Sequence, residues 1–291
     1  MSTKIKDLQQ ATHFQASDVL VLGTGSGVKK MPMSVLLPNT AAAHNQFVRG
    51  KTLTDEYSLA DIYAMVQARD YHDIFVGDKI KAIVPAIGAT NFAGGQTEFL
   101  VAEIESHWNY GDSTPLNKGH LLLVPSGILG SAYMNPTNTT EGAYDGSYMD
   151  DTVMPAVQTA LEAAFGADHV LTAREFLTSV VNTTFATKGV PGGTGAVTFA
   201  NNWVDRKVRL MTELEVYGGS VFSSSGEDDR AGLSHQIALF RMDHKAVCNR
   251  AHWWVSAVAG STLFCIVASY GYVYYNGASY VSGVRPRFTI G

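Results

Sequence analysis

Charged side chains are scarce in this chain of 291 residues: Asp, Glu, Lys and Arg make up 16% of it, against about a quarter in most globular proteins. That scarcity counts against a free cytoplasmic enzyme. Set beside the abundance of Gly, Thr, Ser, Asn and Tyr, it points to β structure and to surfaces that meet other proteins. The net charge of -5 and the pI of about 6.0 leave no basic face of the kind that recruits nucleic acid. Cysteine is scarcer still. Cys248 and Cys265 are the only two, too few for a disulfide framework in a chain of this length. Both lie in apolar stretches, where buried thiols are expected. Residues 1–10 are polar and charged, without the apolar core of a signal peptide. No run of about eighteen apolar residues exists, so no transmembrane helix is expected. Hydrophobic residues, at 46%, suffice for a sizeable core. The length suits one large domain, or a medium one with an appendage. The chain reads as made in a cytoplasm, with no membrane insertion.

The usual carriers of chemistry are missing as well. Val21-Leu-Gly-Thr-Gly-Ser-Gly-Val28 follows a strand-like run and invites a dinucleotide reading. Its third glycine comes one residue early, however, and Lys29-Lys-Met-Pro32 follows instead of a helix that could hold a pyrophosphate. A Walker-type loop lacks its Gly-Lys-Ser/Thr closure. A hairpin turn is the better reading. The nine histidines (His13, His44, His72, His107, His120, His169, His235, His244 and His252) form no His-x-x-x-His pair and no Cys/His cluster. His244 and Cys248 have ligand spacing but no second pair. Residues 223–230, Ser-Ser-Ser-Gly-Glu-Asp-Asp-Arg, lack the alternating acids of a calcium loop and read as a solvated loop. No Gly-x-Ser-x-Gly elbow occurs. No catalytic residue, metal site or cofactor is expected.

What is present is a succession of short elements. Residues 18–22 and 28–31 flank the Gly-rich turn as two strands of a hairpin, and residues 33–37 add an apolar patch before Pro38. A hairpin this small cannot stand alone. It needs its own domain, copies of itself in an oligomer, or a docking partner, with Val19, Val21, Val28 and Met31 as contact residues. Residues 38–45 read as a linker of small, patternless residues. Ser58 and Asp61 in N-cap spacing, with Leu59, Ile62, Met65 and Val66, predict a helix. Strands are expected over 79–84, 98–104 and 119–124. A helix is expected over 151–165, with Pro155 in its first turn and Gly166 at its end. A second helix is expected over 172–181, where Thr172 and Glu175 have capping-box spacing. Then come a loop at 191–195 and a short helix over 212–217. Short strands and turns follow, with Asn276-Gly277 as the clearest hairpin turn. There is no internal repeat, and the order of elements is that of an α+β fold.

The C-terminal stretch carries most of the information. Trp253 and Trp254 open an aromatic run, and an apolar strand surrounds Cys265. Tyr270, Tyr272 and Tyr274 alternate, so they share one face of a strand, and Tyr280 lies beyond the turn. Tyr brings large area, one hydroxyl and little rotamer entropy to an interface. Rings divided between core and surface are the alternative. Trp253-Trp-Val-Ser256, Phe264-Cys-Ile-Val267, Gly271-Tyr-Val-Tyr-Tyr-Asn-Gly277 and Gly283-Val-Arg-Pro286 together resemble the C-terminal signature of the DUF6273 family. Val255 stands where that pattern has Leu, and Ser256 where it has Arg. Upstream, the run from Trp203 to Tyr217 is similar to the family's strand-and-helix segment. Phe47-Val-Arg-Gly-Lys51, Ile74-Phe-Val-Gly-Asp78, residues 117–125 and residues 134–144 are similar to segments of phage tail-fibre or head-fibre proteins. Residues 5–12, with 18–22 and Lys29-Lys30, resemble the short module with which many phage appendages begin.

The resemblance implies an α+β domain with a C-type-lectin-like or formylglycine-generating-enzyme-like core, closed by Gly283-Val-Arg-Pro286. The copper chemistry of that wider fold uses a closely spaced cysteine pair, which Cys248 and Cys265 are not. The expected organisation is an attachment or oligomerisation segment over 1–37, a linker over 38–45 and the DUF6273-like domain over 46–291. The expected role is that of a non-enzymatic virion protein: a tail-associated fibre or receptor-binding protein for host attachment, or alternatively a head-fibre or capsid decoration protein. Tyr270, Tyr272, Tyr274, Tyr280, Trp254, Asp228 and Asp229 are the candidate ligand-binding residues. The expected partners are copies of the chain in a homotrimer, other virion proteins, and a host-surface glycan or protein, but neither nucleic acid nor membrane.

Overall fold

The computed structural model describes residues 19–24, 27–32, 39–178, 201–223 and 232–291. Strands β1 (Val19–Thr24) and β2 (Gly27–Pro32) form the expected antiparallel hairpin. Its register sets Val19 opposite Pro32, Val21 opposite Lys30, Val28 opposite Gly23 and Met31 opposite Leu20. Val19, Val21 and Val28 therefore occupy positions of one parity and Met31 the other, so the four do not form a single row.

Residues 39–45 are not a slack linker. They hold a helical turn, α1 (Ala41–His44), capped by Thr40. The Asn39 side chain bonds the Asp70 carboxylate and the Tyr71 amide. The Asn45 side chain bonds the Ile104 backbone through both its groups. His44 is buried, 2.7 Å from the Ile74 carbonyl and stacked on Phe75. Polar side chains making long-range bonds anchor a segment whose apolar residues are too small to do so.

The chain then runs through α2 (Leu59–Gln67), β3 (Lys79–Val84), β4 (Gly95–Ile104), β5 (Leu121–Pro125), β6 (Ser131–Ala132), α3 (Met154–Phe165), β7 (Val170–Leu171), β8 (Ala173–Thr178), β9 (Asn201–Arg206), β10 (Val208–Leu210), α4 (Glu213–Tyr217), α5 (Ala238–Met242), β11 (Trp253–Gly260), β12 (Leu263–Val267), β13 (Val273–Gly277), β14 (Ser282–Gly283) and β15 (Pro286–Ile290). The expected capping box at Ser58 and Asp61 starts α2, and Ile62 and Val66 are buried. Pro155 lies in the first turn of α3 and Gly166 ends it. Of the 172–181 segment, residues 173–178 form β8, paired with β9, rather than a helix, and residues 179–181 lie outside the described residues. Asn276 and Gly277 lie within β13, opposite Phe264 and Leu263, and do not form a turn. In both places pairing with the neighbouring strand in the chain overrides a shorter-range signal. Residues 191–195 lie outside the described residues.

The result is a mixed α+β fold, mostly strands in curled, largely antiparallel sheets. One sheet has the order β10-β15-β5-β4-β3, with β7 also on β15. A second has the order β13-β12-β11-β14-β6. Two hydrophobic clusters fill the interior. On β5, Leu121 and Leu123 belong to one and Leu122 and Val124 to the other. On β11, Trp254 and Val258 belong to the first and Trp253, Val255 and Ala257 to the second. Strands covered on both faces lose the polar-out half of the alternation, which accounts for the low charge content.

Four of the buried charges form one cluster. Arg287 on β15 bonds the carboxylates of Glu175 on β8 (2.7 and 2.8 Å) and Glu215 on α4 (2.9 and 3.2 Å). Arg209 on β10 adds a bond to Glu175 at 3.3 Å and one to Ser256 on β11 at 3.2 Å. All four charged groups are buried. Arg285 is buried as well. It donates to the carbonyls of Pro125 and Ala246 and lies over the rings of Trp253 and Phe240. Burial pushes its pKa down to about 10.

His120 makes one consequence measurable. Its Nε2 accepts from the His107 amide at 2.9 Å, and its Nδ1 donates to the Lys118 carbonyl at 2.8 Å, which fixes the neutral ring. Burial pushes its pKa down to about 4, against roughly 6.5 in an unfolded chain. Between those values the unfolded state holds the extra proton, so stability falls as pH drops, by roughly 3 kcal/mol in all. Urea denaturation from pH 7 to pH 4 should show this fall, and His120→Gln should flatten it. Identical slopes for the two proteins would contradict the assignment.

Candidate binding surface on the C-terminal sheet

Strand β13 is the edge of the second sheet, bonded to β12 on one side. From Ala251 to Val284 the sequence has no Asp, Glu, Lys or Arg. Most of that run is buried in β11 and β12, and it reaches solvent at β13 and its flanks. There Tyr270 is 83% exposed, Tyr272 56%, Tyr274 46% and Tyr280 59%. Exposed rings this close together are uncommon on a protein that meets only water.

The rings are held from below. Tyr274 stacks on Tyr275 at 4.8 Å and 10°, and Tyr272 meets Tyr274 edge-on at 6.2 Å. Phe222 sits edge-on to Tyr275 at 5.2 Å and to Tyr274 at 6.3 Å. Phe222 is itself fixed by the Glu213 carboxylate, which accepts from the amides of Val221, Phe222 and Ser223. The turn before β13 is closed by Ala268 N–H to Tyr272 O and Gly271 N–H to Ala268 O, both 2.8 Å. Tyr217 donates its hydroxyl to Gly271 O at 3.0 Å, and the Cys248 thiol donates to Ser269 O at 3.2 Å. Burial raises the Tyr217 hydroxyl well above its ordinary pKa, so it remains a donor. Beyond β13, Asn138 Oδ1 accepts from the amide and hydroxyl of Ser279.

Between the turn and helices α4 and α5 lies a cleft of about 260 Å³, walled by Tyr217, Gln236, Phe240, His244, Cys248 and Tyr270. The structure thus brings Tyr272 and Tyr274 together and gives Tyr270 a place on the cleft wall. Tyr280 is exposed at the far end of β13. Trp254 does not belong to the surface. It is fully buried and donates its indole N–H to Ala132 O at 2.9 Å. Adjacent tryptophans on a strand point to opposite faces, and here both faces are core. Asp228 and Asp229 lie outside the described residues. Cys248 is exposed rather than buried, and Cys265 is buried as expected. Phe222, Glu213 and Tyr217 are not legible in the sequence as parts of this surface, because nothing there ties them to the tyrosine run.

Among the described residues no group of three or more His, Cys, Asp or Glu is placed to hold a metal ion. None of their helices is long and apolar enough to cross a membrane. Compared with known proteins, the chain matches no family model, no curated protein and no solved structure.

The turn offers a direct test. Gly271 has φ of +87°, and a Cβ there would lie 3.2 Å from the Cβ of Cys248. Gly271→Ala should cost about 1–2 kcal/mol in denaturant unfolding. A variant as stable as the parent would contradict the left-handed turn.

Proposed function

We propose that this is a structural, non-enzymatic phage virion protein whose domain over residues 46–291 binds a host cell surface through the tyrosines at β13. The observation that carries this reading is the exposed, buttressed pair Tyr272 and Tyr274, flanked by Tyr270. Rigid amphipathic rings with one side supported and the other in water supply contact area at little entropic cost. The likeness of the C-terminal segments to DUF6273 proteins and of the upstream segments to phage fibre proteins supplies the setting. In that setting the N-terminal hairpin attaches the protein to the particle or joins its copies, and a homotrimer follows by analogy with phage fibres. A lectin-like core belongs to the same reading.

The test is binding of the purified full chain to intact host cells, beside Tyr272→Ala/Tyr274→Ala. Saturable binding that weakens at least about tenfold in the variant is expected. Tyr272 is 56% exposed and Tyr274 46%, and neither belongs to the buried core, so the variant should keep the parent's circular dichroism spectrum. A folded protein that does not bind would contradict host attachment and turn the reading to a head-fibre or capsid decoration protein.

A further inference from the structure

The chemistry of the surface narrows its ligand. A ligand held through phosphate, carboxylate or ammonium groups would need countercharges. Without them the desolvation of its charge goes uncompensated. The run from Ala251 to Val284 supplies none. A folded protein partner needs a wide patch, about 800 Å² on each side. Tyr274 stands on an edge strand of five residues, about 17 Å long, with Tyr272 just before it and Tyr270 in the preceding turn. The fit is to something narrow, uncharged, apolar on its faces and rich in hydroxyl groups at its edges.

A pyranose has that form. Its axial C–H bonds carry slight positive charge and settle on the negative face of an aromatic ring, the attraction that a cation feels more strongly. Tyr274 has one face covered by Tyr275 and remains 46% exposed. Tyr272, two residues away, adds a second ring at 77° to the first. The phenol hydroxyls and the Asn276 side chain offer both donors and acceptors to sugar hydroxyls. The cleft beside Tyr270, at about 260 Å³, lies below the usual range for drug-sized ligands, roughly 300–1,000 Å³, and suits a single ring. Gln236 and His244 on its wall provide the polar contacts.

We propose that the ligand is a neutral pyranose glycan that lies across Tyr272 and Tyr274 and places a terminal sugar in the cleft walled by Tyr270, Gln236 and His244. This inference rests on the surface-binding reading above and makes it chemically specific.

Two measurements test it together. The first is binding of the labelled full chain to an array carrying neutral, sialylated, uronic-acid and phosphate-bearing oligosaccharides. Retention on neutral members is expected. It should be the same at about 0.1 M and about 1 M salt, because the proposed ligand carries no charge to be screened. It should fall at least about tenfold in Tyr272→Ala/Tyr274→Ala and in Tyr270→Ala. Binding confined to anionic members and lost in salt would overturn the inference. The second compares host cells treated with periodate, which cleaves vicinal diols, with cells treated with protease. Periodate should abolish binding and protease should not. Binding that survives periodate and is lost to protease overturns the glycan while leaving host attachment standing. No binding to untreated cells overturns both.

Discussion

Two carboxylates and two guanidiniums, sealed from water, hold the distant parts of this chain together. Glu175, Glu215, Arg209 and Arg287 come from four separate elements and are each 2% exposed or less. Burial alone would raise the pKa of Glu175, but Arg287, His107 and Arg209 overcome it and hold the carboxyl well below the usual range. Glu215 is held down in the same way, burial being outweighed by Arg287 and Arg209. Both acids are therefore ionised in the interior. A buried pair of this kind adds little stability over an apolar replacement, yet removal of one member leaves a charge without its partner and costs about 3–5 kcal/mol. What the cluster supplies is position. Arg287 on the last strand bonds β8 through Glu175 on one side and α4 through Glu215 on the other.

The tyrosine surface follows from that closure. Glu215 is also the N3 residue of the α4 capping box with Thr212, and its carboxylate accepts the Leu233 amide. Helix α4 is thus fixed at its start by the ion cluster. The same short helix carries Glu213, which holds Phe222 beneath the rings, and Tyr217, which holds the turn at Gly271. Arg209 reaches Ser256 and so ties the first sheet to the central strand of the second. The chain of contacts runs from Arg287 through Glu215 and α4 to Tyr274. Exposure of the rings is therefore a property of the fold and not of a loose tail.

Signals confined to one turn of chain are legible in the sequence. Ser58 with Asp61 reads as a helix start and is one, because both partners of the box lie within the element. Thr172 with Glu175 has the same spacing and fails, since Glu175 is consumed by Arg287, 112 positions away. Asn276-Gly277 fails because both residues are taken up in pairing with β12. Tyr270, Tyr272 and Tyr274 are legible as exposed rings from their spacing in a charge-free stretch, but only Tyr274 lies on β13, with Tyr270 in the turn and Tyr272 just before the strand, so they do not share one strand face. Trp254 reads as a surface ring only if its strand is buried on one side, and both faces of that strand are core. The residues that set the rings in place are hidden, as a carboxylate that caps backbone amides in a later loop leaves no local pattern.

The most direct test of this account is a double-mutant cycle on Glu175 and Arg287 in denaturant unfolding, using Glu175→Leu, Arg287→Leu and the pair. The account predicts that each single change costs about 3–5 kcal/mol and that the double change costs clearly less than their sum, because the second substitution removes the charge that the first left unpaired. Single losses under about 1 kcal/mol that simply add, as they do for exposed ion pairs, would contradict the claim that this cluster positions the fold.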